Sequence, residues 1–533
     1  MSVPPTDTNA DVPVWLGAMP RSWSLVTMRQ LAAKDRNSFA IGPFGSNLKV
    51  SDYAERGTPL VFVRSIRSNR FGGEGTKYVS ENKARSLLPH SVRAGDVLIT
   101  KMGDPPGDAC VYPADQPMAI ITADCIKLTI EASLTTPKFV MFAIRSPQTH
   151  RLIVQATKGV AQQKVSLGRF ADVRIPLPPL AEQHRIVAKI EELFSDLDAG
   201  VAALRRVKAN LKRYRAAVLN AAVTGKLTAE WRKKNPPKET ADKLLARILE
   251  ERRKKWEAEQ LRKFAAAGKT PTTGWREKYS EPSQPVRGIL PALPNGWATA
   301  SLEQLTSGAR PICYGILMPK ENVADGVLYV KVKDMRGDRI DLSSLHRTRR
   351  EIAAEYARAS LMAGDLLLAI RGTYGRVAPV PPELDGGNIT QDTARVAASS
   401  FMSADFVAAH LRSQTTQNYF KRVARGVAVK GVNIGDVRPC PIALPPFEEQ
   451  RVIVAEAERR LSVIDAAETE IERSLKRASR LRQAILKRAF EGKLVPQDPA
   501  DEPATVMLSR TQTAVGPAPR VKQARATTAK AVT

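Results

Sequence analysis

Two sets of basic and amide side chains in this sequence could bind a polyanion. Arginine and lysine anchor phosphates, and arginine, glutamine and asparagine can also hydrogen-bond to the edges of bases. The first set comprises Arg64, Arg67, Arg70, Lys158, Gln162, Gln163 and Lys164, and the second comprises Lys331, Lys333, Arg336, Arg425, Lys430 and Asn433. Each residue alone is more typical of a solvated surface. Both sets lie in polar, glycine-containing loops. The presence of two such sets in one chain indicates contact with DNA.

The overall charge points the same way. The chain has 533 residues, and 82 Lys+Arg against 54 Asp+Glu give a net charge of +28. Such an excess favours a nucleic-acid partner, with an acidic membrane surface or a merely basic soluble protein as the alternatives. No apolar stretch approaches the ~18 residues of a transmembrane helix, and the beginning of the sequence lacks the pattern of a signal peptide. We therefore expect a cytoplasmic protein.

Motifs for catalysis or metal binding are weak. The cysteines form no CxxC pair and lie near no histidine at ligand spacing, which argues against a zinc site and a disulfide framework: Cys110, Cys125, Cys313 and Cys440. "AGKT" at 267–270 has Lys263 where a phosphate-binding loop needs glycine. "DPPG" at 104–107 has Gly107 where an amino-methyltransferase needs an aromatic residue to stack on its base. The sequence therefore predicts a protein that is not an enzyme by itself.

The chain contains an internal duplication. A shift of 267 positions aligns residues 178–199 with 445–466 at 11 identities in 22 positions, without a gap. The same shift aligns Gly159-Val160-Ala161 with Gly426-Val427-Ala428, Glu182-Gln183 with Glu449-Gln450, and Gly225-Lys226-Leu227 with Gly492-Lys493-Leu494. Two copies of this length predict a pseudo-two-fold protein rather than a solenoid of short repeats.

Each copy changes character at its Pro-Pro pair. Before it, short β-branched runs alternate with glycine, proline and aspartate, which predicts a mixed α/β domain. After it, apolar residues recur every seven positions, which predicts a coiled coil with its seam at Ile190, Leu197, Leu204, Leu211, Val218, Ala457, Ile464, Ile471, Ala478 and Ile485. The alternative is an amphipathic helix lying on its own domain. Pro178-Pro179 and Glu182 fit a helix start, because proline needs no hydrogen bond there and the helix dipole favours a carboxylate.

These patterns predict an α+β fold with two α/β domains separated by two long helices that pair as an antiparallel coiled coil. The expected divisions are a tail over 1–19, a first α/β domain over 20–176, a long helix over 177–227, a charged helical connector and linker over 228–292, a second α/β domain over 293–443, a second long helix over 444–494 and a basic, disordered tail over 495–533.

The arrangement resembles the specificity subunit of Type I restriction-modification systems. The resemblance covers about residues 20 to 505 and is carried by "PLPPLAEQHRIVAKIEELFSDLDA" with "NAAVTGKL", and by "ALPPFEEQRVIVAEAERRLSVIDA" with "AILKRAFEGKLVPQDP". It implies that each α/β domain is a target recognition domain for one half of a bipartite, asymmetric double-stranded DNA site. It also implies that the helices set the spacing and dock two methyltransferase subunits, and that ATP-dependent translocase-nuclease subunits complete the complex. S-adenosylmethionine, ATP and Mg would then belong to those partners, with no cofactor in this chain.

Two other functions remain open on the sequence. A stand-alone DNA methyltransferase of unusual motif would modify DNA without partners. A basic coiled-coil scaffold would bind every duplex equally, because charge alone carries no sequence information.

Overall fold

A computed structural model of the chain describes residues 19–66, 70–72, 76–157, 163–427 and 429–513. The chain forms two compact units. The first consists of Met1–Leu204 with Arg473–Thr533, and the second is Arg205–Glu472. The middle of each long helix is the point at which the chain passes from one unit to the other.

The first copy is a mixed domain followed by a long helix. Its strands are β1 (Ser24–Thr27), β2 (Phe39–Ile41), β3 (Tyr53–Ala54), β4 (Thr58–Val61), β5 (Tyr78–Val79), β6 (Ser91–Val92), β7 (Val97–Thr100), β8 (Ala109–Val111), β9 (Ala119–Ile121), β10 (Cys125–Leu128) and β11 (Arg174–Leu177). Its helices are α1 (Glu81–Ser86), α2 (Pro137–Arg145), α3 (Pro147–Gln155), α4 (Leu167–Ala171) and α5 (Leu180–Val223). The connector contributes α6 (Ala229–Lys234) and α7 (Ala241–Ala266).

The second copy repeats this order. Its strands are β12 (Ala298–Ser301), β13 (Cys313–Tyr314), β14 (Val327–Val330), β15 (Met335–Arg336), β16 (Arg339–Ile340), β17 (His346–Thr348), β18 (Leu366–Ala369), β19 (Val377–Pro379), β20 (Asn388–Ile389), β21 (Thr393–Val396) and β22 (Pro441–Leu444). Its helices are α8 (Arg350–Glu355), α9 (Ala404–Arg412), α10 (Gln414–Val423), α11 (Ile434–Val437) and α12 (Phe447–Phe490), and α13 (Ala504–Thr513) follows.

Corresponding sheets have the same strand order in the two copies. The first copy has the order β2-β10-β7-β8, and the second has β13-β21-β18-β19. A two-stranded antiparallel ribbon, β1 with β11 or β12 with β22, brings the beginning of each domain beside the strand that leads into its long helix. The remaining strands differ between the copies: the first has a five-stranded sheet in the order β3-β5-β4-β9-β6, and the second has a three-stranded sheet, β17-β14-β20, and a two-stranded one, β15-β16. The duplication seen in the sequence is thus a duplication of the four-stranded sheet and of the ribbon that precedes each long helix.

The central strands β7 and β18 are buried on both faces. In β7, Val97 and Ile99 belong to one core cluster and Leu98 to another. In β18, Leu366 and Leu368 likewise contact one cluster while Leu367 contacts a second. Alternate residues of a strand point to opposite faces, so an uninterrupted apolar run suits a strand that has a core on each side.

The two long helices run antiparallel within each unit. In the second unit, Lys208 pairs with Glu472 at 3.0 Å, whereas Arg215, further along α5, pairs with Glu468 at 3.1 Å, nearer the start of α12. In the first unit, Asp198 of α5 binds Arg482 of α12 at 2.5 Å. The helices are therefore paired with each other, and neither lies solely against its own domain.

The positions of the heptad seam face inward. The buried ones are Ile190, Val218, Ala457, Ile464, Ile471 and Ile485, and the partly exposed ones are Leu197, Leu204, Leu211 and Ala478. The partial exposure has a simple cause, since a single partner helix covers less of a side chain than a domain core does.

The segment after the second long helix differs from the sequence-based expectation. Disorder is expected from residue 495, but α13 is helical and packs on the core of the first unit through Ala504 and Met507, which are 0% and 6% exposed. Composition averaged over the tail conceals this short amphipathic stretch, which the small and basic residues beyond it dilute. The expectation is wrong for this part, and residues 514–533 lie outside the described residues.

Candidate nucleic-acid interface and helix joints

The first group of candidate residues in the first copy follows β4. Arg64 is exposed, with its guanidinium carbon 4.2 Å from the centre of the Phe62 ring. Arg70 is 82% exposed and lies 3.4 Å from Asp198 of α5. An ion pair this exposed is worth little on its own. Arg67 lies outside the described residues.

The second group in the first copy is a loop anchored at its downstream end. Val165 N–H donates to the Lys101 carbonyl at 3.1 Å, and Gly103 N–H donates to the Gln163 carbonyl at 3.4 Å. Lys164 is exposed next to this anchor. Burial lowers the pKa of Lys101, and the neighbouring positive charge of Lys164 lowers it further. Lys158 and Gln162 lie outside the described residues.

In the second copy, the group after β14 is only partly available to a ligand. The Lys331 ammonium contacts His346 Nδ1 at 3.1 Å and lies 5.0 Å from the centre of the Tyr329 ring. Arg336 pairs with Asp341 at 3.1 Å, although its side chain is 73% exposed. Lys333 is exposed.

The other group in the second copy lies on a hairpin that is closed between Arg425 and Gly431 and whose described residues are 425–427 and 429–431. Arg425 N–H donates to the Gly431 carbonyl at 2.8 Å, and Gly431 N–H returns a bond to the Arg425 carbonyl at 2.9 Å. The Arg425 side chain is 75% exposed and lies 3.9 Å from Asp436. Lys430 and Asn433 are exposed on the same segment. The structure thus brings these three predicted residues together.

Sequence reasoning missed Arg371, which is exposed immediately after β18 and bridges through its backbone to Gly431. It places a third arginine or lysine at the base of the hairpin. The signal was present in "GDLLLAIRG", because a charged residue directly after an apolar strand lies where the strand emerges at the surface. Its proximity to residue 431, sixty positions further on, could not be read from the spacing.

The repeated Glu-Gln pair forms a buried joint rather than a catalytic site. In the first unit, Glu182 is 1% exposed and accepts a hydrogen bond from Trp23 Nε1 at 2.9 Å and one from Gln497 Nε2 at 2.6 Å. Burial raises the pKa of Glu182, and these two bonds act against that rise. The adjacent Gln183 donates to the carbonyls of Leu134 and Pro178.

The second unit builds the same joint with the corresponding tryptophan and different additional donors. Glu449 accepts from Trp297 Nε1 at 2.9 Å, from Thr228 Oγ1 at 2.6 Å and from Arg232 Nε at 3.0 Å. A buried carboxylate needs such donors, because removing it from water without them is costly. The helix dipole therefore explains only part of why a glutamate stands at this position.

Each joint lies at the start of one long helix, and it is completed by a glycine that follows the end of the other long helix. A Cβ on Gly225, which follows α5, would lie 3.1 Å from the Trp297 ring, and one on Gly492, which follows α12, would lie 2.4 Å from Pro20. Both glycines have positive φ, +71° and +69°. Each joint therefore unites the beginning of a domain, the beginning of one long helix and the end of the other.

Among the described residues, no group of three or more His, Cys, Asp or Glu residues is arranged to hold a metal ion. All four cysteines are free and buried, and burial raises the pKa of the Cys110 thiol to about 12. None of the described helices has both the length and the apolar character needed to cross a membrane.

The fold and the surface together define a class: a duplicated protein with two α/β domains, a repeated basic loop and an antiparallel helix pair. The family model "Type I restriction modification DNA specificity domain" matches residues 94–204. The chain is 27% identical over 510 residues to the Type I restriction enzyme EcoBI specificity subunit of Escherichia coli, covering 95% of this chain and 93% of that protein. It is 22% identical over 519 residues to the EcoKI specificity subunit of Escherichia coli strain K12, covering 96% and 97%.

A solved structure described as showing complex assembly and conformational transition of the type I R-M system has a similar fold. Its TM-score is 0.61, with 17% sequence identity, over 90% of this chain and 100% of that one. Over most of its length the chain is thus similar to specificity subunits of Type I restriction enzymes.

Proposed function

We propose that this chain is the DNA sequence-recognition subunit of a Type I restriction-modification complex, and that each α/β domain reads one half of a bipartite, asymmetric site. The observation that carries the proposal is the duplicated domain with its repeated, anchored basic loop. Two domains that share the same four-stranded sheet can bind two half-sites, while their different loop sequences allow each to read different bases.

The paired helices would set the spacing between the half-sites. An α-helix rises about 1.5 Å per residue, so a 44-residue helix is a stiff element of about 66 Å. Each long helix is stabilised by packing against a second helix of equal length. A lone helix in water has no such packing.

The repeated joints and helix starts favour two copies of one partner, and methyltransferase subunits are the partner that this family implies. The chain itself supplies recognition, and the family is non-catalytic. S-adenosylmethionine would be bound by the methyltransferase subunits, and ATP with Mg by translocase-nuclease subunits. A cytoplasmic site of action fits this function, because the DNA and the partners are there. The comparisons favour this function over a stand-alone methyltransferase or a scaffold without sequence preference.

Sequencing of modified bases in the host genome tests the proposal. With the gene intact, we expect one methylated motif made of two short specific parts separated by unspecified bases, and we expect it to disappear when this gene alone is deleted and to return on complementation. A motif that survives the deletion, or one without a gap, would contradict the proposal.

A further inference from the structure

The hairpin over residues 425–431 presents apolar side chains to solvent at its tip. Val427 is 104% exposed and Val429 is 63% exposed. A single exposed valine on a protein surface is ordinary. Here, however, two exposed valines stand between Arg425 and Lys430, which are themselves exposed, on a domain proposed to bind DNA.

The base of this hairpin is fixed, so the tip is held in a defined place. Val432 is 4% exposed, and its N–H donates to the Ile370 carbonyl of the central sheet at 2.7 Å. Gly426 has φ +115°, and a Cβ there would lie 2.3 Å from the Val429 carbonyl oxygen. The tight turn thus requires glycine beside Val427.

The first copy anchors its corresponding loop in the same way. The bond from Val165 to the Lys101 carbonyl corresponds to the bond from Val432 to Ile370, and the bond from Gly103 to Gln163 corresponds to the 3.1 Å bond from Gly372 to Lys430. The Gly-Val-Ala sequence of 426–428 is also present at 159–161, whereas the next two residues differ, Gln-Gln in one copy and Val-Lys in the other. Residues 158–162 themselves lie outside the described residues.

The comparison of the two loops distinguishes residues that the core needs from residues that serve another purpose. A buried residue can persist in both copies because the core needs it, but Val427 is exposed and the core does not need it. If the two domains read different bases, a side chain shared by both loops serves a purpose that does not depend on the bases. Insertion of an aliphatic side chain at a base step is such a purpose, because it opens the stack without reading hydrogen-bonding groups.

We propose that Val427, at the tip of the 425–431 hairpin, inserts against a base step of the bound duplex and unstacks it, while Arg425 and Lys430 hold the flanking phosphates. The proposal rests on the proposed function, since it needs DNA in the second domain. The cations on both sides of the tip favour a polyanion over an apolar protein surface, and Arg371 adds a third cation at the base.

The test uses the full chain, purified with the methyltransferase subunit from its host, and a duplex that carries the methylated motif. 2-Aminopurine, whose fluorescence rises on unstacking, replaces one base at a time across both half-sites, except at the methylated bases and the bases next to them, because the methyltransferase itself extrudes its target base. Val427→Ala is compared with the wild type and with Val463→Ala, a matched control because Val463 is 64% exposed on α12. For the wild type and the control, we expect a rise at one step of the half-site that the second domain reads, and we expect that rise to be reduced about fivefold or more in Val427→Ala, because the wedge is what opens the stack. A rise in the other half-site, which the shared Gly-Val-Ala sequence of 159–161 implies, should persist in the variant.

The outcomes separate the two proposals. An undiminished rise in Val427→Ala at the half-site that the second domain reads, or no rise at any position with the wild type bound, overturns the wedge but leaves sequence recognition intact. Loss of the methyltransferase subunit from the Val427→Ala complex also overturns it, because the tip would then contact protein. If the wild-type complex does not prefer the motif over a scrambled duplex, the proposed function itself fails.

Discussion

Arg425 and Val427 are two residues apart, yet we propose different roles for them in DNA binding. Arg425 is 75% exposed with a weak contact to Asp436, so it can reach a phosphate or a base edge. Val427 has no polar group and can only occupy space. At the scale of residues, we therefore propose that recognition in the second domain is divided between side chains that bond to DNA and one that unstacks its bases.

The Arg425 side chain should contribute one ionic contact. We expect Arg425→Ala to weaken DNA binding by the assembled complex about tenfold, and to lower the slope of log affinity against log salt by about one, because one fewer counterion is released. Titrations at several salt concentrations measure both values.

Arg262→Ala is the matched control, since Arg262 is also 75% exposed but lies on the connector helix α7. Equal losses in the two variants would indicate that only the net charge of the chain matters and that the hairpin has no special role.

His410 gives α9 of the second unit a pH dependence that has no counterpart at the matching position of the first copy. It is fully buried, with Nε2 accepting from the Ala443 N–H at 2.9 Å, and burial lowers its pKa from 6.5 to about 3. The unfolded chain then binds a proton more readily than the folded one, so this part of the stability is complete above about pH 6.5 and is lost as pH falls towards 3. The corresponding residue of the first copy is Ala143.

We expect α9 to lose about 2 kcal/mol of opening free energy between about pH 7.5 and pH 5. Hydrogen exchange of α9 at the two pH values, corrected for intrinsic rates, measures it. His410→Gln, whose amide oxygen can accept the same bond, should remove most of this slope. A slope of equal size in α9 of the variant would show that other groups cause it.

At the scale of elements, the heptad pattern and the repeated helix starts could be predicted from sequence, because both are local. The joints could not. Trp297, Glu449 and Gly225 meet although the chain separates them widely, and only folding shows that the glycine after one long helix packs at the start of the other. For the same reason, the sequence did not show that Arg371 lies beside Gly431. The helix at 504–513 escaped for a different reason, because its few apolar residues are diluted by a basic tail.

Lengthening both helices together should change the gap between the half-sites. Repeating one heptad after Leu204 in α5 and one after Glu472 in α12 adds about 10 Å to each while preserving the seam register. We expect the methylated motif to keep both specific parts and to change its gap by about three base pairs, since ten base pairs span about 34 Å.

Seven residues inserted after Gly268, in the loop that follows α7, provide the control and should leave the gap unchanged. An unchanged gap in the helix variant, with the complex still active, would mean that the helices do not set the spacing.

At the scale of the whole molecule, we propose that the two α/β domains read the two halves of one site independently. The domains share the order of their four-stranded sheet and the joint, but their exposed loops differ in charge and sequence. The joint is buried and common to both copies, so one domain can be exchanged without altering the contacts that hold the other.

The most direct measurement is therefore a domain exchange read by sequencing of modified bases. Residues 20–176 are replaced by the first domain of another specificity subunit, and the methylated motif is determined in cells that carry the hybrid. The account predicts that one specific half changes to that of the donor, while the other half and the gap remain. A motif in which both halves change, or in which neither does, would contradict it.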